Sequence, residues 1–215
     1  MPRIVHVADI HIRALQRHDE YKTVFKALIQ DCKDKNVDHI FIGGDVWHTK
    51  TTGISPEYID FMRWWLNAMS EVAVVHLTLG NHDLNLSNMS RQDAVSPIVD
   101  TLNNSRVILY KNSGMYEFEE GFVWCVFSLA DQENWDKVKP IPGKVNIACY
   151  HGPVWGAKTE SDWLIEDGLT VDFFKDYELT FLGDIHKLQY LDYREYEIEI
   201  DEQDLSKYPN AEIVI

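Results

Sequence analysis

Five short apolar runs in this 215-residue chain each stop at a polar side chain that can bind a metal ion. Residues 3–8 lead into Asp9 and His11. Residues 39–42 pass through Gly43-Gly44 to Asp45 and His48. Residues 72–79 close on Gly80-Asn81-His82-Asp83, residues 145–150 on His151-Gly152, and residues 179–182 on Gly183-Asp184-Ile185-His186. Short apolar runs bounded by turn-forming residues read as buried strands. In open α/β sheets, ligands bind beyond the carboxyl ends of the strands. If these strands lie side by side, the five loops that follow them converge on one pocket. Five of the nine histidines fall at these ends, whereas His6, His18, His39 and His76 do not.

The rest of the pattern fits such a frame. Apolar residues at Tyr21, Val24, Phe25, Leu28, Ile29 and Cys32 form a helical stripe. Ser55-Pro56-Glu57 is a cap, a first-turn proline and an acidic residue, and predicts a helix to about residue 70. A further helix is expected over 91–102, and strands over 106–110, 115–118 and 122–129. Strand–helix–strand order followed by consecutive strands predicts an α/β sandwich of two packed β-sheets flanked by helices.

Composition narrows the function. The 20 Lys+Arg against 35 Asp+Glu give a formal charge of −15, so the chain has no general electrostatic pull on nucleic acid. Any phosphate-bearing substrate must be drawn in by local cations. The longest apolar run, 122–130, is nine residues with Ser128 inside it, far short of a membrane helix, and the apolar start at 4–8 is too short for a signal peptide. Cys32, Cys125 and Cys149 read as reduced core thiols. The expectation is a cytoplasmic protein of a bacterium or a phage-infected cell, with no membrane partner.

Taken singly, each strand-end segment has a plain reading: Asp-x-His, Gly-Asn-His-Asp and His-Gly-Pro all occur in ordinary turns. Taken together, Asp, His and an Asn amide oxygen form a mixed oxygen and nitrogen set suited to Mn²⁺, Fe²⁺, Zn²⁺ or Mg²⁺. One carboxylate can bridge two ions about 3.5–4 Å apart, the arrangement that clamps a phosphoryl centre. The adjoining glycines allow tight turns and close approach of backbone to phosphate.

In this order, Asp9-x-His11, Gly44-Asp45, Gly80-Asn81-His82-Asp83, His151-Gly152 and Gly183-x-x-His186 resemble the five signature segments of the calcineurin-like metallophosphoesterases. Within that superfamily, Gly44-Asp45-Val46-Trp47-His48 is similar to the Asp-Leu-Phe-His form of the Mre11/SbcD-type DNA repair nucleases, and Arg17-His18-Asp19-Glu20-Tyr21 also looks like that family. The resemblance implies a catalytic core with two divalent ions, Mn²⁺ first and Mg²⁺ as the alternative. It assigns Asp9, His11 and His186 to one ion, Asn81, His151 and residue 184 to the other, and Asp45 to both. It makes His82 the general acid or donor to the phosphate, oriented by Asp83, and gives His48 a part in positioning the nucleic-acid strand.

Where the family carries Gly-His-x-His, this chain has Asp184, which either ligates directly, favouring Mn²⁺ or Mg²⁺, or orients His186. Residues 1–190 are expected to form the phosphoesterase domain. Residues 191–215 are expected to form an acidic, half-exposed strand or tail (Glu195, Glu197, Glu199, Asp201, Glu202, Asp204), with no DNA-capping domain expected. Arg13, Arg17, Lys50, Arg91 and Lys187 are candidate phosphate grips, or else ordinary solvated charges. DNA and an SbcC/Rad50-like ATPase are the implied partners. The helix over 56–69 is apolar nearly all round, which predicts a homodimer contact unless the β-rich half covers it. The rival functions are a phosphodiesterase or phosphatase for nucleotides or small phosphate esters, and a non-catalytic scaffold of the same fold.

Overall fold

A computed structural model describes residues 1–48, 54–187, 189 and 191. Lys50 and the acidic segment 193–204 lie outside the described residues. The first half of the chain alternates strands and helices: β1 (Ile4–Val7), α1 (His18–Asp34), β2 (His39–Gly43), α2 (Pro56–Ser70), β3 (Val74–Thr78), α3 (Ser96–Leu102) and β4 (Val107–Leu109). The second half is strand-rich, with β5 (Gly114–Glu119), β6 (Phe122–Phe127), β7 (Val145–His151) and β8 (Leu179–Gly183). Short 3-10 segments at Leu129–Lys137 and Val171–Phe174 interrupt it.

Among the described residues the strands form two four-stranded sheets, each in chain order. The first is parallel throughout. In the second, β5 runs antiparallel to β6, and β6, β7 and β8 are parallel. The predicted sandwich is thus the observed one. Parallel strands buried on both faces read as continuous apolar runs, and β2 is buried along its whole length. Between the sheets, Phe41 of β2 packs against Trp124 of β6, with ring centroids 4.8 Å apart, and Trp124 stacks on Phe118 at 3.9 Å. All three cysteines are free and buried.

The outer face of the first sheet is covered by helices. Ser55 caps α2 by accepting a hydrogen bond from the Tyr58 N–H at 3.2 Å, with Pro56 at the first turn. Tyr58, Phe61, Met62, Trp65, Leu66 and Met69 are buried; Trp65 stacks on Phe25 of α1 at 4.2 Å, and Tyr58 packs on Trp47 at 4.1 Å. The apolar circumference of α2 is therefore consumed largely inside the chain, by α1, α3 and the first sheet rather than by the β-rich half. Ile59 stays 36% exposed and Trp64 half-buried.

The helix expected over 91–102 starts at Ser96. The Asp93 carboxylate accepts hydrogen bonds from the N–H groups of Val95 and Ser96 and from the Ser96 hydroxyl, at 2.6–2.9 Å, and so holds 93–95 in a turn.

Candidate metal centre

The loops leaving β1 and β2 stay hydrogen-bonded after the strands end. The N–H groups of Asp9, His11 and Ile12 donate to the carbonyls of Gly44, Asp45 and Val46, and the His48 N–H donates to Ile12. This ladder fixes Asp9 and His11 against Asp45. Asp9, His11, Asp45 and Asp184 all have positive φ, between 51° and 69°. The left-handed region is uncommon for a residue with a Cβ, and backbone strain of this kind gathers at functional sites. Half of the non-glycine positive-φ positions among the described residues are these four.

The two sheets meet at the same place. The Asp184 N–H donates to both carboxylate oxygens of Asp9 at 3.0 Å. His151 Nδ1 lies 2.7 Å from the Gly43 carbonyl. A carbonyl only accepts, so Nδ1 carries a proton and Nε2 is the ring atom turned into the pocket. A Cβ at Gly183 would lie 2.5 Å from the Gly43 carbonyl oxygen and closer still to His151 Nδ1, so this crossing requires glycine.

The side chains converge as three overlapping groups, each with ligand atoms within 4.8 Å of one another: Asp9, His11 and His186; Asp9, Asp45, His151 and Asp184; and His11, Asp45 and His82. His11 Nε2 lies 3.7 Å from Asp45 Oδ2, His151 Nε2 lies 3.3 Å from Asp45 Oδ1, and His186 Nε2 lies 3.8 Å from Asp9 Oδ1. Asp45 is fully buried. Its Oδ1 accepts the His82 N–H at 2.7 Å, whereas its Oδ2 has no hydrogen-bond partner. Asn81 Oδ1 and His151 Nε2 are likewise buried and unpartnered.

Other buried polar atoms without partners, such as those of Tyr58, Trp65 and Trp124, are isolated donors in the apolar core. At the strand ends the unpartnered atoms of Asp45, Asn81 and His151 belong instead to ligand-type side chains, and Asp45 and His151 share one group of converging ligand atoms. An unsatisfied buried acceptor costs about 1–3 kcal/mol, and a cation satisfies several at once. The donor set fits hard or borderline divalent ions.

Electrostatics agree. Burial pushes the Asp9 carboxyl up, with the histidines His151 and His186 acting against it. Burial also pushes Asp45 up, but the His151 imidazole and the His82 N–H more than offset it and hold the carboxyl below its ordinary value. Burial pushes His151 down, yet Asp45, Asp9 and the Gly43 carbonyl together raise it to about 9. Without an ion, the two buried carboxylates thus compensate their charge by holding a second proton on His151, at Nε2, and a divalent ion would displace that proton and take the lone pair.

The remaining predicted residues fall in distinct places. His82 is half-buried, with Nε2 3.9 Å from Asp45 Oδ2 and its ring 4.6 Å from that of His11. Its Nδ1 lies 2.7 Å from the His48 carbonyl, so the His48 backbone orients it. The expectation that Asp83 orients His82 is corrected here. Asp83 is buried, and its carboxylate accepts the N–H groups of Trp47 (2.8 Å), Gly80 (2.9 Å) and Val46 (3.3 Å). It clamps the loop after β2 to the loop after β3. Burial pushes its carboxyl up to about 7.

Of the candidate phosphate grips, Arg13 is half-buried and lies near enough to depress the His48 imidazole, after burial. Arg17, the residue preceding α1, is paired with Glu20 of that helix. Arg91 is exposed on a bend, and Lys187 is paired with Asp162. Sequence reasoning missed the Gly43 and His48 carbonyls, because a backbone acceptor leaves no trace in residue identity.

The chain matches the family model for Calcineurin-like phosphoesterase over residues 2–191. It is 41% identical over 203 residues to an uncharacterized protein of Acanthamoeba polyphaga mimivirus, a match covering 87% of this chain and 15% of that protein. The chain therefore spans about a seventh of the relative's length. The crystal structure of Pseudomonas putida nuclease MPE is similar with a TM-score of 0.41 and 16% identity, over 76% of this chain and 68% of that one.

Proposed function

The chain belongs to the calcineurin-like phosphoesterase family, and from that premise we propose that it is a metal-dependent DNA nuclease of the Mre11/SbcD type, cleaving phosphodiester bonds in repair or recombination. The observation that carries the reading is the set of buried, unpartnered acceptors on Asp45, Asn81 and His151 at the meeting of the two sheets. Asp9, His11 and His186 would hold one divalent ion, and Asn81, His151 and Asp184 the other, with Asp45 between them. Asp184 stands in the same ligand group as His151 and Asp45, which favours direct ligation over a purely orienting part. Its carboxylate favours Mn²⁺ or Mg²⁺. Such ions supply Lewis-acid stabilisation of charge developing on a phosphoryl group.

The chain's own residues do the rest. The His48 carbonyl accepts a hydrogen bond from His82 Nδ1–H and leaves Nε2 facing the pocket, where the ring would serve as general acid or donor to a phosphate or leaving oxygen. His186 is 44% exposed at its side chain, so the pocket is open to a polymer on that side. Arg13, beside His48, is the basic group best placed to meet a backbone phosphate. The ATPase partner belongs to this proposal as well. A homodimer through α2 would rest on Ile59 and Trp64, the apolar residues the fold leaves partly uncovered.

One observation favours the rival small-ester phosphodiesterase, namely the net charge of −15. Incubation of end-labelled single- and double-stranded DNA with Mn²⁺, Mg²⁺ or EDTA, beside bis(p-nitrophenyl) phosphate, separates the two. Metal-dependent loss of DNA is expected. Cleavage of the small ester with DNA left intact would select the rival reading.

A further inference from the structure

Directly after His151 the chain forms a flap, residues 153–169, whose Val154 and Ala157 are buried in the core of the second sheet while three large apolar side chains stay in water. Trp163 is 75% exposed, Trp155 51% and Leu164 50%. Exposed tryptophans on a loose loop would carry little meaning, but this flap is ordered. Gly156 donates to Ile165, Ile165 to Ala157, Trp155 to Leu169, and Thr159 to Trp163, all at 2.7–2.9 Å. Asp162 takes a left-handed φ of 63° immediately before Trp163.

The flap is also tied to the metal-binding segment. Asp162 pairs with Lys187, the neighbour of His186. The Gln189 side chain accepts the Lys158 N–H at 2.7 Å and donates to the Lys158 carbonyl at 2.8 Å. Trp155 is four residues from His151, a chain path of at most about 14 Å. Two large aromatic side chains are thus held beside a centre of phosphate chemistry, with half or more of each left open to water among the described residues.

The flap's charge narrows what the rings can take. Glu160, Asp162, Glu166 and Asp167 outnumber Lys158 on it, so it repels a phosphate backbone and offers ring faces instead. Every nucleobase has a π-face, and aromatic side chains stack single-stranded bases without sequence preference. We propose that Trp163, supported by Trp155, is a stacking platform for an unpaired nucleobase of a single-stranded substrate whose phosphate lies in the metal centre. This deepens the nuclease reading and rests on it. A paired base keeps its faces inside the duplex stack, so the platform selects single strands or frayed ends.

The test is equilibrium binding by fluorescence anisotropy. The probes are fluorescein-labelled hexathymidylate and an abasic hexamer with the same sugar–phosphate backbone. Both are measured in Mn²⁺ on the full chain carrying His82→Ala, with probe integrity checked on a gel. Hexathymidylate should bind more tightly than the abasic probe. Adding Trp163→Ala should weaken hexathymidylate about tenfold or more and leave the abasic probe unchanged, and Trp163→Tyr should restore most of the loss. Equal weakening of both probes, no weakening, or no preference of the unsubstituted flap for bases would each overturn the proposal. Hydrolysis of bis(p-nitrophenyl) phosphate by the unaltered chain is followed in parallel, so failure of the phosphoesterase centre is distinguished from failure of the platform.

Discussion

Asp83→Asn separates two mechanisms for one carboxylate. In the structure the side chain receives three backbone N–H groups, from Val46, Trp47 and Gly80, and so joins the loop bearing Asp45 to the loop bearing Asn81 and His82. An asparagine placed with its oxygen at the Oδ2 position keeps the Gly80 and Val46 bonds. Its amide then faces the Trp47 N–H and leaves that buried donor unpaired, at about 1–3 kcal/mol. The two retained bonds lose charge assistance, about another 1 kcal/mol each. Relief of the desolvation that raises Asp83 to about 7 returns part of this.

The net expected loss is about 2 kcal/mol, or about 4–8 °C in Tm for a chain of this size. Thermal unfolding and Mn²⁺ titration are the assays. Stability and metal affinity should fall together, because the loops carrying Asp45 and Asn81 lose their common clamp. Turnover lost with Tm and metal affinity intact would refute the clamp and restore a direct action of Asp83 on His82.

Three further outcomes follow from the geometry. His82→Ala should lower turnover of a phosphodiester by about two to four orders of magnitude while Mn²⁺ affinity stays unchanged; a variant that loses the metal instead would make His82 a ligand. Gly183→Ala, which drives a Cβ into the Gly43 carbonyl and His151, should weaken Mn²⁺ binding about 10–100-fold by displacing the imidazole, and unaltered affinity in a titration would show that the sheets part easily there. Burial lowers His6 to about 4, and burial together with His39 lowers His76 to about 3. Both are neutral in the folded chain, so their contribution is complete above about 6.5 and is lost as pH falls through that value toward 4 and 3, where the unfolded chain takes up protons the folded chain refuses. Denaturant midpoints from pH 7.5 to 5 should fall less steeply for His6→Phe than for the unsubstituted chain, and identical slopes would contradict this.

Much of the site was legible because ligand chemistry is written in residue type. Asp9, His11, Asp45, Asn81, His151, Asp184 and His186 stand at the ends of apolar runs, and parallel strands carry such ends to one edge. What was not legible lies in the backbone. The carbonyls of Gly43 and His48 fix the imidazoles of His151 and His82, and any residue supplies a carbonyl. The left-handed turns at Asp9, His11, Asp45 and Asp184 are tolerable to aspartate and histidine, but neither residue type announces them.

The Asp83 clamp was hidden for the related reason that its partners are N–H groups of distant loops. Helix α2 shows the reverse case: its apolar circumference is legible, but periodicity cannot say how much of it a partner, and how much the chain's own α1, α3 and first sheet, will cover. The early start predicted for α3 failed because Asp93 competes locally for the N–H groups of Val95 and Ser96.

The central claim is a pair of ions sharing Asp45, and electron paramagnetic resonance of the chain titrated with Mn²⁺ tests it most directly. Two ions about 3.5–4 Å apart are magnetically coupled. The account predicts a coupled-pair spectrum that saturates at two ions per chain and is lost in Asp45→Asn. A single uncoupled six-line signal, or a coupled pair that survives Asp45→Asn, would contradict it.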